Sequence, residues 1–198
     1  MTAQFNDSFR YRGEDVAVAG ISGGELFDIS LLDLKPVMAC TACYRGYVAQ
    51  FGVAGAKLVI ATLQVNLMRD SGNSKCEPEA GPVINAITPI FDRERDSLFS
   101  NQYYNLNYHL EYTGGVVLAN GFIEEVYVHM GFHPAWKYNH VIYLIFEAGI
   151  LKGEFDRSAQ MSELRLRFTE SRGERGSPEP PSDQEITAFI ERAFDRRY

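Results

Sequence analysis

Apolar and polar residues alternate with a period of two along much of this chain. In the longest stretch, residues 44–67, the alternation is interrupted only by Ala54-Gly55-Ala56. The apolar positions that share one face of its two halves are Tyr47, Ala49, Phe51 and Val53, then Val59, Ala61, Leu63, Val65 and Leu67. Alternation on both sides of a glycine-containing turn predicts an antiparallel hairpin with one buried face.

A second hairpin is predicted over residues 140–155, with its turn at Glu147-Ala-Gly149. The first strand of this hairpin has apolar residues on both faces: Val141, Tyr143 and Ile145 on one, and Ile142, Leu144 and Phe146 on the other. A strand that is apolar on both faces is typical of a central strand, or of one that closes a barrel.

Shorter strands are predicted before and between these hairpins. Residues 8–20 form a predicted hairpin around Gly13. A strand is expected over residues 106–112, followed by a break at Gly114-Gly115. Another strand is expected from Phe122 to Met130.

Together the strands predict a mainly β domain over residues 1–170. We expect an antiparallel barrel or a strongly curved β-sandwich of about eight to ten strands. Closure is favoured because an open sheet would expose long unpaired edges. Residues 171–182 are rich in Gly, Pro and charge, so they are predicted to be a flexible linker.

The C-terminal residues 183–198 follow an amphipathic helical pattern. Ser182 and Glu185 form a capping box at its start. The apolar stripe consists of Ile186, Phe189, Ile190, Ala193 and Phe194. Because an isolated helix of roughly 14 residues is marginal in water, we expect it to dock on the β domain or on a neighbouring chain. Docking on a neighbouring chain would make a homo-oligomer.

Charge and cysteine content limit the partners. The 198 residues include 19 basic and 26 acidic side chains, a formal charge of −7. An acidic surface repels phosphate groups, so nucleic acid is not expected as a partner. No run approaches the roughly 20 apolar residues of a membrane span, and the first residues do not resemble a secretory signal. Three cysteines do not make a disulfide framework. We therefore expect a cytoplasmic protein that does not bind membranes.

Two strings stand out among the predicted strands. They are Thr41-Ala-Cys-Tyr-Arg-Gly-Tyr47 and Tyr127-Val-His-Met-Gly-Phe132, the second preceded by Gly121 and Phe122. Together they resemble an uncharacterised family of bacterial proteins with Thr-Ala-x-aromatic-Arg-Gly-Tyr and Tyr-Val-His-Met-Gly-aromatic strand motifs. The resemblance covers residues 37–155, with one extra residue before Tyr127. It implies a fold relationship and a bacterial source, and no assigned activity comes with it.

Arg45 is the first candidate binding residue. By alternation it shares the apolar face of Tyr47, and an unpaired charge on such a face is very costly. One interpretation is a structural Arg45 that pairs with a carboxylate or stacks on the Tyr47 ring. The other is that Arg45 and Tyr47 lie at the mouth of a β cavity and bind an anionic ligand.

A group of aromatic residues surrounds the second string. Its members are Tyr127, Phe132, Trp136 and Tyr138, with His129 between them in sequence. Exposed, these residues would make a partner-binding patch, because Trp and Tyr dominate interface energetics. Buried, they would plug one end of a barrel.

Other chemical signals are weak. Cys40 and Cys43 have a Cys-x-x-Cys spacing, but in a strand they would point to opposite faces, so we expect no disulfide between them. His129 and His133 are four residues apart, a spacing that aligns metal ligands only on a helix. We therefore expect no metal and no cofactor. The common nucleophile, phosphate-binding and dinucleotide motifs do not occur.

These observations favour a binding protein over an enzyme. The first hypothesis is a non-catalytic cytoplasmic binding protein, of the acidic, partner-neutralising immunity type. The alternative is a β-barrel that binds a small anionic or aromatic ligand, with Arg45 and the residues from Tyr127 to Tyr138 at the cavity. Catalysis in the same cavity is a further alternative.

Overall fold

The computed structural model describes residues 4–70, 76–94, 96–127 and 133–173. This part of the chain contains twelve strands, one α-helix and three short 3-10 helices. The strands are β1 (Ser8–Tyr11), β2 (Glu14–Ser22), β3 (Tyr47–Ala54), β4 (Lys57–Val65), β5 (Met68–Asp70), β6 (Cys76–Pro78), β7 (Ile90–Phe91), β8 (Asn101–Tyr103), β9 (Tyr108–His109), β10 (Gly114–Phe122), β11 (Tyr138–Glu147) and β12 (Ile150–Asp156). The helices are Ile29–Leu32, Glu124–Val126 and Ala135–Lys137, all 3-10, and α1 (Ser158–Gly173).

Seven of these strands close into a barrel, in the order β12-β11-β10-β2-β1-β3-β4. The barrel closes where Ile150 of β12 pairs with Lys57 of β4. At this seam the Leu58 amide donates to the Gly149 carbonyl, and the Leu151 amide donates to the Ala56 carbonyl, both at 2.8 Å. The predicted mainly β fold and its barrel form are therefore confirmed. One pairing in the barrel, β1 with β3, is parallel.

The three predicted hairpins are confirmed. β1 pairs with β2, β3 with β4 and β11 with β12, all antiparallel. In the first hairpin Arg12 and Gly13 form the two-residue turn, with φ of 52° and 88°. Positive φ at both turn residues is the requirement of a type I′ turn, which suits the twist of the flanking strands.

A β-bulge in β4 changes which side chains face the interior. Gln50 pairs with Thr62 and Phe51 pairs with Ile60, so Ala61 has no partner in β3. Before the bulge Ile60 is fully buried in the core, and after it Leu63 is. The predicted single face from Val59 to Leu67 is therefore wrong at its start, because one extra residue shifts a period of two to the other face.

Strand β10 occupies a segment that the sequence divided differently. β10 begins at Gly114, where the sequence predicted a break. It ends at Phe122, where the sequence predicted that a new strand begins. Gly115 has a packing role, because a Cβ atom at this position would overlap the Tyr143 ring. The predicted strand over residues 106–112 is reduced to β9, since Asn105 and Asn107 adopt positive φ.

The barrel interior is packed with side chains. The core is formed by residues from every barrel strand, including Phe9, Val16, Phe51, Ile60, Leu118, Phe146 and Leu151. One end of the barrel, here called the base, contains Ser22, Tyr47 and Gly114. There the Phe27 ring packs edge-on against Tyr47, with 6.0 Å between ring centres. The opposite end, here called the mouth, contains the Arg12–Gly13 turn.

Both faces of β11 are covered, as its sequence predicted. The inner face carries Leu144 and Phe146, which belong to the main core. On the outer face Val141 forms a second core with Met161 of α1, and Tyr138 at the first position of β11 belongs to the same core. The sequence did not predict α1, and its last residues overlap the predicted linker at 171–182.

Two hydrogen bonds fix the start of α1. The Val141 amide donates to the Ser158 hydroxyl at 3.0 Å, and the Ser158 amide donates to Asp156 at 2.8 Å. The bonds from Ser158 hold the pKa of Asp156 below its usual range.

The predicted helix over residues 183–196 lies outside the described residues. In the described part of the chain no helix has the length and apolarity to cross a membrane.

Two buried tyrosines predict how stability depends on alkaline pH. Burial raises the pKa of Tyr103 and of Tyr112 from 10.0 to about 12. The unfolded chain loses these protons near pH 10, whereas the folded chain keeps them until near pH 12. The free energy of unfolding should therefore fall between about pH 10 and 12, by about 3 kcal/mol for each tyrosine.

Urea unfolding at pH 8, 10, 11 and 12 tests this prediction. Tyr103→Phe should lose part of the alkaline decrease, since Tyr103 is fully buried and donates only to the Pro82 carbonyl. Tyr104→Phe is the control, because that ring is 44% exposed. Equal alkaline slopes in the wild type and in Tyr103→Phe would contradict the prediction.

Candidate ligand-binding site at the barrel mouth

Arg45 lies in the turn that precedes β3, at the base of the barrel. Its guanidinium forms two hydrogen bonds with the Asp7 carboxylate, of 2.8 Å and 2.5 Å. Its Nε donates to the Tyr47 carbonyl at 2.8 Å, and its guanidinium carbon lies 4.7 Å from the Tyr47 ring centre. The prediction that Arg45 pairs with a carboxylate or stacks on a Tyr ring is confirmed, since it does both, although Arg45 belongs to a turn and not to the strand face.

The Arg45–Asp7 pair joins the N-terminal segment to β3. Asp7 also accepts a 2.8 Å hydrogen bond from the Ala49 amide. Burial lowers the pKa of Arg45, but the hydrogen bonds and charge of Asp7 outweigh it, so the pKa is raised. Burial raises the pKa of Tyr47. Because Asp7 already neutralises Arg45, this arrangement favours a structural role over binding of an anion.

A double-mutant cycle measures the strength of this pair. The side chains of Arg45 and Asp7 are 35% and 24% exposed. We expect a coupling free energy of about 1–2 kcal/mol, above the value for exposed pairs and below that for fully buried ones. The measurement is urea unfolding of Arg45→Ala, Asp7→Ala and the double variant.

The pair of Lys152 and Glu147 is the matched control for this cycle. These side chains are 52% and 71% exposed, and their charged atoms are 4.0 Å apart. Their coupling should be close to zero, because solvent screens such a pair. A coupling at Arg45–Asp7 no larger than in this control would show that the pair contributes nothing to stability.

The aromatic residues of the second string meet around Phe122. Its ring centre lies 6.3 Å from Tyr127, 4.8 Å from His133 and 5.2 Å from Tyr138. Sequence reasoning did not choose Phe122 as a site residue, although it was noted as one of the residues that precede the second string. The other two predicted residues of this group, His129 and Phe132, lie outside the described residues.

One member of this aromatic group is buried and another is exposed at the surface. Tyr138 is buried, whereas Tyr127 is 57% exposed. Arg165 of α1 donates to the Trp136 and Tyr138 carbonyls at 2.8 Å and 2.6 Å, and so ties the helix to the barrel. Burial lowers the pKa of Lys137, whose ammonium lies 5.6 Å from the Trp136 ring centre.

The predicted site residues thus fall into two separate places. Arg45 and Tyr47 are at the base, where β3 begins. Tyr127, Trp136 and Tyr138 lie near the mouth, where β10 ends and β11 begins. The cavity expected to unite Arg45 with the aromatic group is not formed by these residues.

The mouth itself contains a cavity that sequence reasoning missed. It has a volume of about 210 Å³. It is lined by Tyr11, Arg12, Glu14, Val16, Leu118, Ala119, Asn120, His140 and Ile142. Val16, Leu118 and Ile142 make an apolar floor, and the polar residues make a rim.

The pairing of the strands explains this arrangement. Asn120 lies opposite His140, and Leu118 lies opposite Ile142. In β2, Glu14 is two residues before Val16. In these three strands the inward apolar residues are therefore followed at the mouth by a polar residue, because every second side chain of a strand points to the same face. The sequence contains this signal, but it identifies a mouth only when the strand order is known.

Hydrogen bonds order the polar rim. The Tyr11 hydroxyl donates to Glu154 at 2.7 Å, and Arg12 forms an ion pair with Glu154 at 2.8 Å. β1 and β12 are not neighbours, so these contacts join strands across the barrel end. Burial and the Glu154 carboxylate raise the pKa of Tyr11. Asn120 donates to Glu14 at 3.0 Å.

The cysteine pair lies in a turn at the base, not in a strand. The Cys43 amide donates to the Cys40 carbonyl at 2.9 Å, and the two residues are bridge partners across Thr41 and Ala42. Both thiols are free, as predicted. The predicted reason, that the two side chains point to opposite faces of a strand, is wrong. Cys40 and Cys43 flank a two-residue turn, and residues that flank such a turn lie side by side.

In the described part of the chain no group of three metal-ligating side chains occurs.

Thiol labelling tests this description. Iodoacetamide should modify Cys40 in the folded protein and leave Cys43 unmodified, since Cys43 is 1% exposed and Cys40 is half-buried. After denaturation without reductant both should be modified, as read by peptide mass spectrometry. Persistent loss of both labels would show a disulfide and overturn the assignment.

Comparisons with protein-family models, with curated proteins and with solved structures find no match to this chain. The family likeness of the two strings therefore stays a resemblance.

Proposed function

We propose that this is a non-catalytic binding protein and that it engages a protein partner with the mouth of its barrel. The observation that carries the proposal is the mouth cavity above a packed interior. Its volume of about 210 Å³ is below the range of about 300–1,000 Å³ typical of small-molecule sites. A cavity of this size suits one side chain of a partner better than a cofactor.

The surroundings of the cavity support a protein partner. Phe122 and the described members of the aromatic group, Tyr127, Trp136 and Tyr138, border the mouth, and Tyr127 is exposed. Binding energy at interfaces concentrates in aromatic residues and in pockets that take one anchor side chain. A cavity beside exposed aromatic surface combines both features.

The charge of the chain supports a basic partner. The formal charge is −7, and complementary potentials steer association and select partners. A partner-neutralising factor of the immunity type fits this balance. The free thiols Cys40 and Cys43 support a reducing compartment such as the cytoplasm.

A comparative capture experiment tests the proposal. Tagged wild type, Val16→Phe and Leu31→Ala are used as baits in extracts of the cells that produce the protein, and bound proteins are identified by mass spectrometry. Val16→Phe replaces an isopropyl group in the cavity floor with an aromatic ring that fills it. Leu31 is 61% exposed in the 3-10 helix Ile29–Leu32, so Leu31→Ala is the control.

We expect a protein that the wild type and Leu31→Ala capture equally and that Val16→Phe loses by at least about tenfold, since filling a pocket removes its anchor contact. Melting temperatures show that each bait is folded. Capture of the same protein by all three baits would reject the mouth as the binding site.

Binding of a small ligand in the same cavity is the second candidate function. The observation in its favour is the apolar floor of Val16, Leu118 and Ile142 with polar groups converging above it. Native mass spectrometry of the purified protein separates the two candidates. A mass added to the wild type and lost in Val16→Phe would favour the small ligand.

A further inference from the structure

We propose that Cys40 and Cys43 form a site of reversible oxidation, at which hydrogen peroxide converts the two free thiols into one disulfide. The site lies at the base of the barrel, away from the mouth, and it goes beyond the proposed binding function. Three properties of the pair carry this proposal: its position across a tight turn, the different exposure of the two thiols, and the weak contacts that hold each sulfur atom.

The turn brings the two residues within the range of a disulfide. Cys40 and Cys43 are antiparallel bridge partners, and the Cys43 amide donates to the Cys40 carbonyl at 2.9 Å. Residues paired in this way have Cα atoms about 4.5–5.5 Å apart, and disulfides usually join Cα atoms about 4.4–6.8 Å apart. Side chains directly opposite each other in such a pair lie on the same face. A disulfide can therefore form by rotation of the two side chains, with little movement of the main chain.

The two thiols differ in their access to solvent. Cys40 is half-buried, whereas Cys43 is 1% exposed. A small oxidant can therefore reach Cys40, and Cys43 lies beside it, shielded from solvent. Cysteines that respond to oxidants are typically accessible and stand next to a second, resolving cysteine. Cys40 is thus the residue that meets the peroxide, and Cys43 is the resolving residue.

The two steps balance in atoms and electrons. The Cys40 thiolate attacks one oxygen of the peroxide, the O–O bond breaks, and the sulfur becomes a sulfenic acid while the other oxygen leaves as water with the thiol proton. The Cys43 thiolate then attacks the Cys40 sulfur, the S–O bond breaks, and a second water leaves as the disulfide forms. Together the two thiols lose two protons and two electrons, and hydrogen peroxide is reduced to two molecules of water.

Only weak contacts oppose the rotation of the two side chains. Cys40 Sγ accepts from the Ala42 amide at 3.4 Å, and the Cys43 thiol donates to the Tyr47 carbonyl at 3.5 Å. Sulfur is a weak donor and a weak acceptor, so little is lost when oxidation breaks these bonds. The Tyr47 carbonyl keeps a partner, because Arg45 Nε also donates to it at 2.8 Å.

Oxidation of the full chain with hydrogen peroxide tests the proposal. The treated protein is denatured, labelled with iodoacetamide and cleaved with trypsin, which puts both cysteines in the peptide Gly13–Arg45 and Cys76 in another peptide. We expect Gly13–Arg45 to lose both labels together and to be lighter by two hydrogen atoms. Dithiothreitol before labelling should restore both labels, and protein that meets no peroxide should keep both.

Three single variants separate the roles of the cysteines at the peroxide concentration that oxidises the wild type. Cys43→Ser should stop at the first step, so that dimedone traps a sulfenic acid on Cys40. Cys40→Ser should keep the label on Cys43, because the accessible thiol is gone. Cys76→Ser is the matched control and should form the disulfide like the wild type. A disulfide that joins Cys76 to either residue, or oxidation of Cys40 with the Cys43 label retained in the wild type, would overturn the proposal.

Amide signals in ¹⁵N–¹H spectra show whether the disulfide forms in the folded protein. The Phe5 amide donates to the Ala42 carbonyl at 2.8 Å, so Phe5 and Ala42 report on the turn. Peroxide should shift both signals, dithiothreitol should reverse the shifts, and the signal of Leu118 near the mouth should stay unchanged. A disulfide found after denaturation while the Phe5 and Ala42 signals stay unmoved would place its formation in the unfolded chain and overturn the proposal.

Discussion

Closure of the sheet between β4 and β12 is the constraint on which the rest of the structure depends. The seam has one registered pair, Ile150 with Lys57, and backbone hydrogen bonds at Leu58 and Leu151. In the closed, seven-stranded part of the sheet the inward side chains must fill the interior. The bulge at Ala61 lets β4 keep apolar residues inside along its whole length. Closure therefore leaves the two ends as the places where polar groups and a ligand can reach the barrel interior.

The charged side chains at the two ends of the barrel have different partners. At the base, Arg45 and Asp7 neutralise each other, and Asp7 also holds the Ala49 amide. At the mouth, Glu154 is compensated by Arg12, whereas Glu14 is held by an uncharged amide. A compensated pair stabilises the chain, while an uncompensated carboxylate above an apolar floor is suited to a ligand. This difference agrees with the binding that we propose at the mouth cavity and with a structural role at the base.

Sequence reasoning about single residues succeeded where the partner is local. The stacking of Arg45 on Tyr47 involves residues two positions apart, and the hairpins depend on turns that the sequence displays. It failed where the partner is distant. The mouth cavity was missed because Asn120 and Glu14 are separated by 106 residues and meet only through strand order. Similarly, Gly115 was interpreted as a break because the ring that needs its space, Tyr143, comes from another strand.

The sequence by itself determined the mainly β character, the hairpins and the two apolar faces of β11, because alternation and turn chemistry act between near neighbours. The tertiary structure decided which strands became neighbours, where the bulge at Ala61 changes the inward face, and that α1 covers Val141. It also decided the site. The residues at the mouth are ordinary strand ends in the sequence, and only closure of the barrel brings Glu14, Asn120 and His140 around one cavity.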